Sequence, residues 1–294
     1  MLLSRQSPAP ILLLYFAFAA LMTWSGRHDP FFWDTVQLAS KHAHHFYENG
    51  LRWIPLPENI DSGHPPVFGF YLAHVWHFFG KTLPASHVAM LPFLLLNIWL
   101  LYRLGRRLGG DARAFWLLPL VLLDPVMAGQ SLLVSPDLVL VGGFLFTVEG
   151  ILGRNRVFML LGSLLLCLVS IRGMMTAGAL FAWNFWYCCR AFSFPLLSRR
   201  NFLSLRPWLV STLFFLPGFA FAAWFLWWHR AATGWIGLHP NSPWAPTFEP
   251  AQGLELLRNV LVIGWRWLGE GFGRARLAGA LLIFAGILAI ALAG

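Results

Sequence analysis

Nine apolar stretches of membrane-spanning length recur along this chain, at about residues 9–25, 87–104, 114–132, 138–152, 157–171, 173–189, 207–228, 254–272 and 276–294. About 17 to 25 apolar residues cross the hydrocarbon core of a bilayer as a helix, which satisfies its own backbone amides where no water is present. The sequence therefore predicts an all-α fold: a polytopic transmembrane bundle of about nine spans, forming one domain over 1–294 with no separate soluble unit. Composition agrees, since 58% of the residues are hydrophobic and 11% charged, against about 45–50% apolar in soluble domains.

The run from Val67 to Gly80 is shorter, begins after Pro65 and Pro66, and is interrupted by His74 and His77. Basic residues decide its place. With 66–80 as an interfacial helix outside the membrane, one side holds Arg5, Arg103, Arg106, Arg107, Arg113, Arg154, Arg156, Arg190, Arg199, Arg200, Arg206, Arg274 and Arg276, 13 of the 21 Lys and Arg. If that run crossed, every later loop would change sides and the asymmetry that orients membrane proteins would collapse. The formal charge of +9 thus reads as positive-inside patterning, and nucleic acid is not expected as a partner. The same topology puts all ten histidines, and nine of the twelve acidic residues, on the outer side. Cys167, Cys188 and Cys189 lie in apolar stretches without metal-ligand spacing. Ala17-Phe18-Ala19 resembles a signal-peptidase site, but the apolar run continues through it, and the first helix is read as uncleaved.

Two outer segments are long, 26–86 and 229–253. In the first, Thr35 to Tyr47 has an apolar face (Val36, Leu38, Ala39, Ala43, Phe46) and a polar one (Gln37, Lys41, His44, His45), the pattern of an amphipathic helix lying on a membrane. Asp34 precedes it and is placed both to cap it and to do chemistry. Asp137 opens a later span on the same face, where a helix dipole also favours a carboxylate. Arg172 sits between two apolar runs, where a charge points to function, with snorkelling to the interface as the plainer account. Asp124 is a secondary candidate that could equally pair with a backbone group. The run Asp61-Ser62-Gly63-His64-Pro65-Pro66-Val67 is the most distinctive in the chain, its double proline fixing the direction in which His64 is presented. Asp61 and His239 are further secondary candidates; the tryptophans from Trp235 to Trp244 suit either sugar stacking or interfacial anchoring. His42 with His45, and His74 with His77, lie three apart without a complete ligand set, so no metal site is assigned.

An acidic residue after the first helix, a Pro-Pro motif leading into an interfacial helix that ends in Phe-Gly, an acidic residue opening a later outer-face span, and then a basic residue followed by glycine: this order resembles the GT-C membrane glycosyltransferases. Among them it is most similar to bacterial lipid A aminoarabinose transferases and protein O-mannosyltransferases, over about residues 9–190. The resemblance implies sugar transfer from a polyprenyl-phosphate donor to a lipid, glycan or protein acceptor, in a bacterial inner membrane, with a cytoplasmic N-terminus and an outward site. It implies Asp34 as the catalytic acidic residue, Asp137 as the second acidic residue of the active cavity, and His64 and Arg172 facing the donor phosphate. Two departures stand out. Asp34-Thr35 replaces a frequent acidic pair, which weakens metal binding and leaves a divalent ion open as a cofactor. His64 replaces a frequent lysine, which makes that charge pH-sensitive.

Displacing a lipid phosphate from an anomeric carbon needs a base for the acceptor's proton and a cation for the departing phosphate, roles open to Asp34 and Arg172. A transporter or flippase of a lipid-linked sugar is the main rival, although no internal repeat is evident and the candidate charges gather at one face rather than deep in the bundle. A non-enzymatic scaffold leaves those charges without a purpose. The last apolar run, Leu277 to Gly294, stops without a polar flank, whereas the resembled families usually continue, so C-terminal truncation is an open expectation.

Overall fold

The computed structural model describes residues 9–190, 206–237, 239 and 252–271. These residues form helices and connecting turns, with no strand among them. The first helix, α1 (Ala9–Ser25), coincides with the first apolar stretch. A π-helical segment, Thr35–Ser40, runs straight into α2 (Lys41–Glu48), and α3 (Val67–Phe79) and α4 (Leu83–Val88) follow. The main body comprises α5 (Leu91–Leu122), α6 (Pro125–Ser131), α7 (Asp137–Gly153), α8 (Arg156–Val169) and α9 (Ile171–Arg190). Beyond these lie α10 (Arg206–Thr212), α11 (Leu216–Thr233) and α12 (Leu254–Gly271).

Several boundaries differ from the sequence expectation for local reasons. Most of the stretches 87–104 and 114–132 falls in α5, whose two parts meet at Gly110 with φ 77° and ψ 178°. The second part stops at Leu122 because the Asp124 carboxylate accepts from the Val126 and Met127 amides and starts α6, with Pro125 in its first turn. Stretch 207–228 is broken between α10 and α11, where Pro217 sits in the first turn of α11. The expected run 276–294 lies outside the described residues. Leu83–Gly110 is the one described helix long and apolar enough to cross a membrane by itself; Leu12–Ser25, Val67–Phe79 and Arg156–Val169 are apolar but shorter.

The helix expected over 66–80 is present as α3, but the apolar face of Thr35–Tyr47 is covered by protein. Ala39, Ala43 and Phe46 are buried in one cluster with Phe68, Leu72, Ala73 and Trp76 of α3. Two amphipathic helices thus cover each other's apolar stripes, which removes more surface from water than either would alone.

Helix α7 organises the rest. Its Leu138 and Val139 join that first cluster, Leu145 and Phe146 pack with α1 and α5, and Val148 and Ile151 pack with α8, α9 and α11. Close approach of α7 and α8 depends on Gly162, where a Cβ would run into the Thr147 side chain. Across α5 and α7, buried Asn97 donates to the Leu138 carbonyl at 2.9 Å. The start of α7, carrying Asp137, is thereby fixed between the α2–α3 pair and the α8–α9 turn.

Candidate functional site

The α8–α9 connection is a tight turn at Ser170, whose backbone is extended (φ −160°, ψ 160°). The Ser170 hydroxyl accepts from the Gly173 amide at 3.0 Å and caps α9, leaving Arg172 in the first helical turn. A cation there faces the positive end of the helix dipole and needs a nearby anion. Asp137, in the first turn of α7, supplies one: Arg172 Nη2 lies 3.7 Å from Asp137 Oδ1. Their side chains are 60% and 33% exposed, so the pair is worth at most about 1 kcal/mol. It aims the guanidinium without locking it, and an incoming phosphate can compete for it.

His64 joins the same corner. Its Nδ1 accepts from the Ile171 amide at 3.4 Å, so the ring proton belongs on Nε2. Burial, then the positive charge of Arg172, hold its pKa below the usual histidine value, against the opposing pull of Asp61, Asp34 and Asp137. His64 is accordingly a neutral hydrogen-bonding group at neutral pH, and the cation of the cluster is Arg172. All four charged groups lie within electrostatic reach of one imidazole, although they come from the segment before α3, from α7 and from α9.

Asp34 does not cap the following helix, contrary to expectation. Its side chain makes no capping hydrogen bond, because the first amides of the helix already donate to backbone carbonyls, Thr35 to Phe32 at 3.1 Å and Val36 and Gln37 to Trp33 at 3.0 and 3.2 Å; the Thr35 hydroxyl braces that turn, accepting from the Phe32 amide at 2.7 Å and donating to the Phe32 carbonyl at 2.6 Å. The Asp34 carboxylate stays exposed. Backbone irregularity brackets it: Trp33 has φ 47°, in the left-handed region, and the next six residues are π-helical. Such strain, about 1–3 kcal/mol for a residue like Trp33, concentrates at functional positions.

The secondary candidates separate. Asp61 is buried and functions as an anchor: His229 Nε2 donates to its Oδ2 at 2.9 Å, with the two side chains 6% and 4% exposed. The other ring nitrogen of His229 lies 3.1 Å from the Trp235 carbonyl. With an acceptor at each nitrogen, the imidazolium form is favoured; burial works against it, but the Asp61 bond and charge prevail and the pKa is raised. Asp61 Oδ1 also accepts from the Gly63 amide at 2.8 Å. Gly63 has φ 73°, and a Cβ there would run into the Gly237 carbonyl, so only glycine lets 229–237 close over the turn that carries His64. His239 Nε2 lies 2.7 Å from Glu58 Oε1, on the far side of Trp235, whose ring stands edge-on to both histidines. Asp124 is a helix cap, as its plainer account holds.

The paired histidines do not converge. His42 is buried and its Nε2 donates to the Ile60 carbonyl at 3.0 Å, while His74 Nδ1 lies 2.8 Å from the Phe70 carbonyl. Among the described residues no group of three His, Cys, Asp or Glu side chains could hold a metal ion. Two narrow crevices flank His64, each of only about 10 Å³. The first reaches His42, Pro136, Ser170 and Arg172; the second reaches Asp61, Trp228 and His229. Both fall below the about 300–1,000 Å³ usual for ligand pockets, so the described residues form the floor of a site rather than a closed donor cavity. Sequence reasoning weighs His42 only as half of a metal pair and misses its bond to Ile60; His229 it misses altogether.

No protein-family model matches the chain, and no curated protein and no solved structure shows significant similarity to it.

Proposed function

We propose that this chain is a multi-pass membrane glycosyltransferase of GT-C type, moving a sugar from a polyprenyl-phosphate donor to an acceptor at the outer face. The observation that carries the reading is the gathering of Asp34, His64, Asp137 and Arg172 at one end of the helical body, where Arg172 meets Asp137 and the Asp34 carboxylate is exposed and makes no capping bond. The membrane setting is supported by large apolar side chains facing outward from helix after helix: Leu13, Leu14 and Leu21 on α1, Met175 on α9, Trp224 and Trp227 on α11. A soluble monomer rarely leaves so much apolar surface uncovered. About nine spans, a cytoplasmic N-terminus and a bacterial inner membrane complete the reading.

The acceptor's hydroxyl oxygen attacks the anomeric carbon while Asp34 takes its proton. The bond between that carbon and the phosphate oxygen breaks, and its electron pair leaves with the lipid phosphate, whose growing charge Arg172 and the positive ends of α7 and α9 neutralise. His64 offers its Nε2 proton to a phosphate oxygen, and Asp137 steers the guanidinium. The polyprenyl chain stays in the bilayer throughout. Purified protein should consume a polyprenyl-phosphate sugar in detergent without any gradient, and Asp34→Asn should abolish this with insertion intact. Movement of the donor across vesicles without turnover would assign the chain to the transporter class instead.

A further inference from the structure

The opposite end of α7 carries a second charged centre that the transfer reaction does not use. Glu149 lies twelve residues beyond Asp137, about 18 Å along the helix axis. Its side chain is 2% exposed, and two arginines of α5 hold it: Arg103 donates to Oε1 at 3.1 and 3.3 Å, and Arg107 donates to Oε1 at 2.8 Å and Oε2 at 2.9 Å. A buried carboxylate between two cations leaves one positive charge in excess, and Arg106 adds another guanidinium to the same opening. That opening, lined by Arg103, Arg106, Arg107, Gly110 and Glu149, is a shallow, open hollow of about 390 Å³.

The two guanidiniums are held in place before any ligand arrives. Glu149 takes only the Nε and Nη2 groups of each, and Nη1 of neither finds an acceptor among the described residues, although each side chain is 36% exposed. Fixed forks with unused donors match a tetrahedral phosphate with little loss of side-chain freedom. The surroundings add an apolar half. Arg103 lies over the edge-to-face pair Trp99 and Phe158, at 5.1 and 5.0 Å from their ring centres, and Leu108 beside the cluster is 67% exposed.

We infer that this cluster binds the phosphate of an anionic lipid head group, with the acyl chains running along Leu108 and the neighbouring aromatic rings. The site belongs to the inner leaflet under the orientation proposed above; its phosphate chemistry is independent of the transfer reaction. A free phosphate ion would use the arginines but not the apolar rim.

Native mass spectrometry of the purified protein in neutral detergent, with phosphatidylglycerol and phosphatidylcholine in equal amounts, tests this without reference to turnover. Phosphatidylglycerol should be retained at least about tenfold better, and Arg106→Gln should cut that preference severalfold. Because Arg107→Gln alone would strand Glu149, the paired variant Arg107→Gln with Glu149→Gln serves as the second probe and should also lose the preference. Arg107→Lys, which keeps the charge but not the fork, should weaken it. Equal retention of the two lipids, or an unchanged preference in Arg106→Gln and in the paired variant, overturns the proposal. Displacement of the lipid by an equal concentration of inorganic phosphate would overturn the lipid assignment in favour of a soluble anion.

Discussion

Asp61→Asn should unfasten the turn that carries His64, and the structure gives the size of the effect. The substitution removes the negative partner of a protonated ring whose side chain is 6% exposed and leaves that charge facing only neutral groups, the Trp235 carbonyl, the Thr233 hydroxyl and the new amide. Breaking a buried pair from one side costs about 3–5 kcal/mol; with water close by at the outer loops, the lower end, about 3 kcal/mol, applies. For a chain of this size each kcal/mol moves a thermal midpoint by about 2–4 °C, so the midpoint in detergent should fall by roughly 6–12 °C. Asp61→Asn combined with His229→Gln leaves no stranded charge and should recover much of the loss. The pH dependence is fixed in sign. His229 lies beyond the apolar stretch 207–228, and its folded pKa is raised above the ordinary value. Its stabilisation is therefore complete below about pH 6.5 and fades as pH rises through the folded pKa. A midpoint shift under about 2 °C, or a double variant as unstable as the sum of the singles, would refute the pairing.

Burial pushes the pKa of His42 down to about 4, against the opposing Ile60 hydrogen bond, so the fold holds it neutral and its contribution is lost as pH falls from about 6.5 towards 4. That amounts to about 3 kcal/mol, on the acid side where His229 contributes no slope; His42→Gln should flatten this limb of a midpoint-against-pH curve. Gly162→Ala forces α7 and α8 apart and should cost about 1–3 kcal/mol in thermal unfolding, whereas Gly264→Ala on α12, with open space around it, should not destabilise. Arg172→Lys should retain part of the turnover and Arg172→Gln about a hundredth or less, read as kcat against KM for the polyprenyl-phosphate donor.

Much of this arrangement is legible in the sequence wherever one physical rule acts alone. Apolar runs without competing signals gave α1, α7 and α9 nearly to the residue, and Pro65-Pro66 marked the start of α3. Boundaries were lost where a local feature overrides hydrophobicity: Asp124 caps a new helix, Pro217 opens one, and Gly110 breaks one. Capping by Asp34 is the natural reading of an acidic residue before a helix, but the left-handed Trp33 turns its own carbonyl and that of Phe32 onto the first helix amides. His42 and His229 were within reach. His42 falls on the stripe Ala39, Ala43, Phe46, and His229 follows Gly218, Ala222 and Phe225 at helical spacing, so both were bound to face inward. The identity of their partners was not, because Asp61 and Ile60 are distant in sequence and only the closure of 229–237 over Gly63 brings Asp61 to His229.

The most direct test is the rate at which polyprenyl phosphate is released from a polyprenyl-phosphate sugar by equal amounts of inserted wild-type and Asp34→Asn protein in detergent, with an extract of membrane lipids, glycans and proteins supplying acceptor hydroxyls. Removal of a catalytic base costs about 10²- to 10⁴-fold, and a fall of that size, with an unchanged thermal midpoint, is what the account predicts. Release by neither protein, or equal release by both, would contradict it.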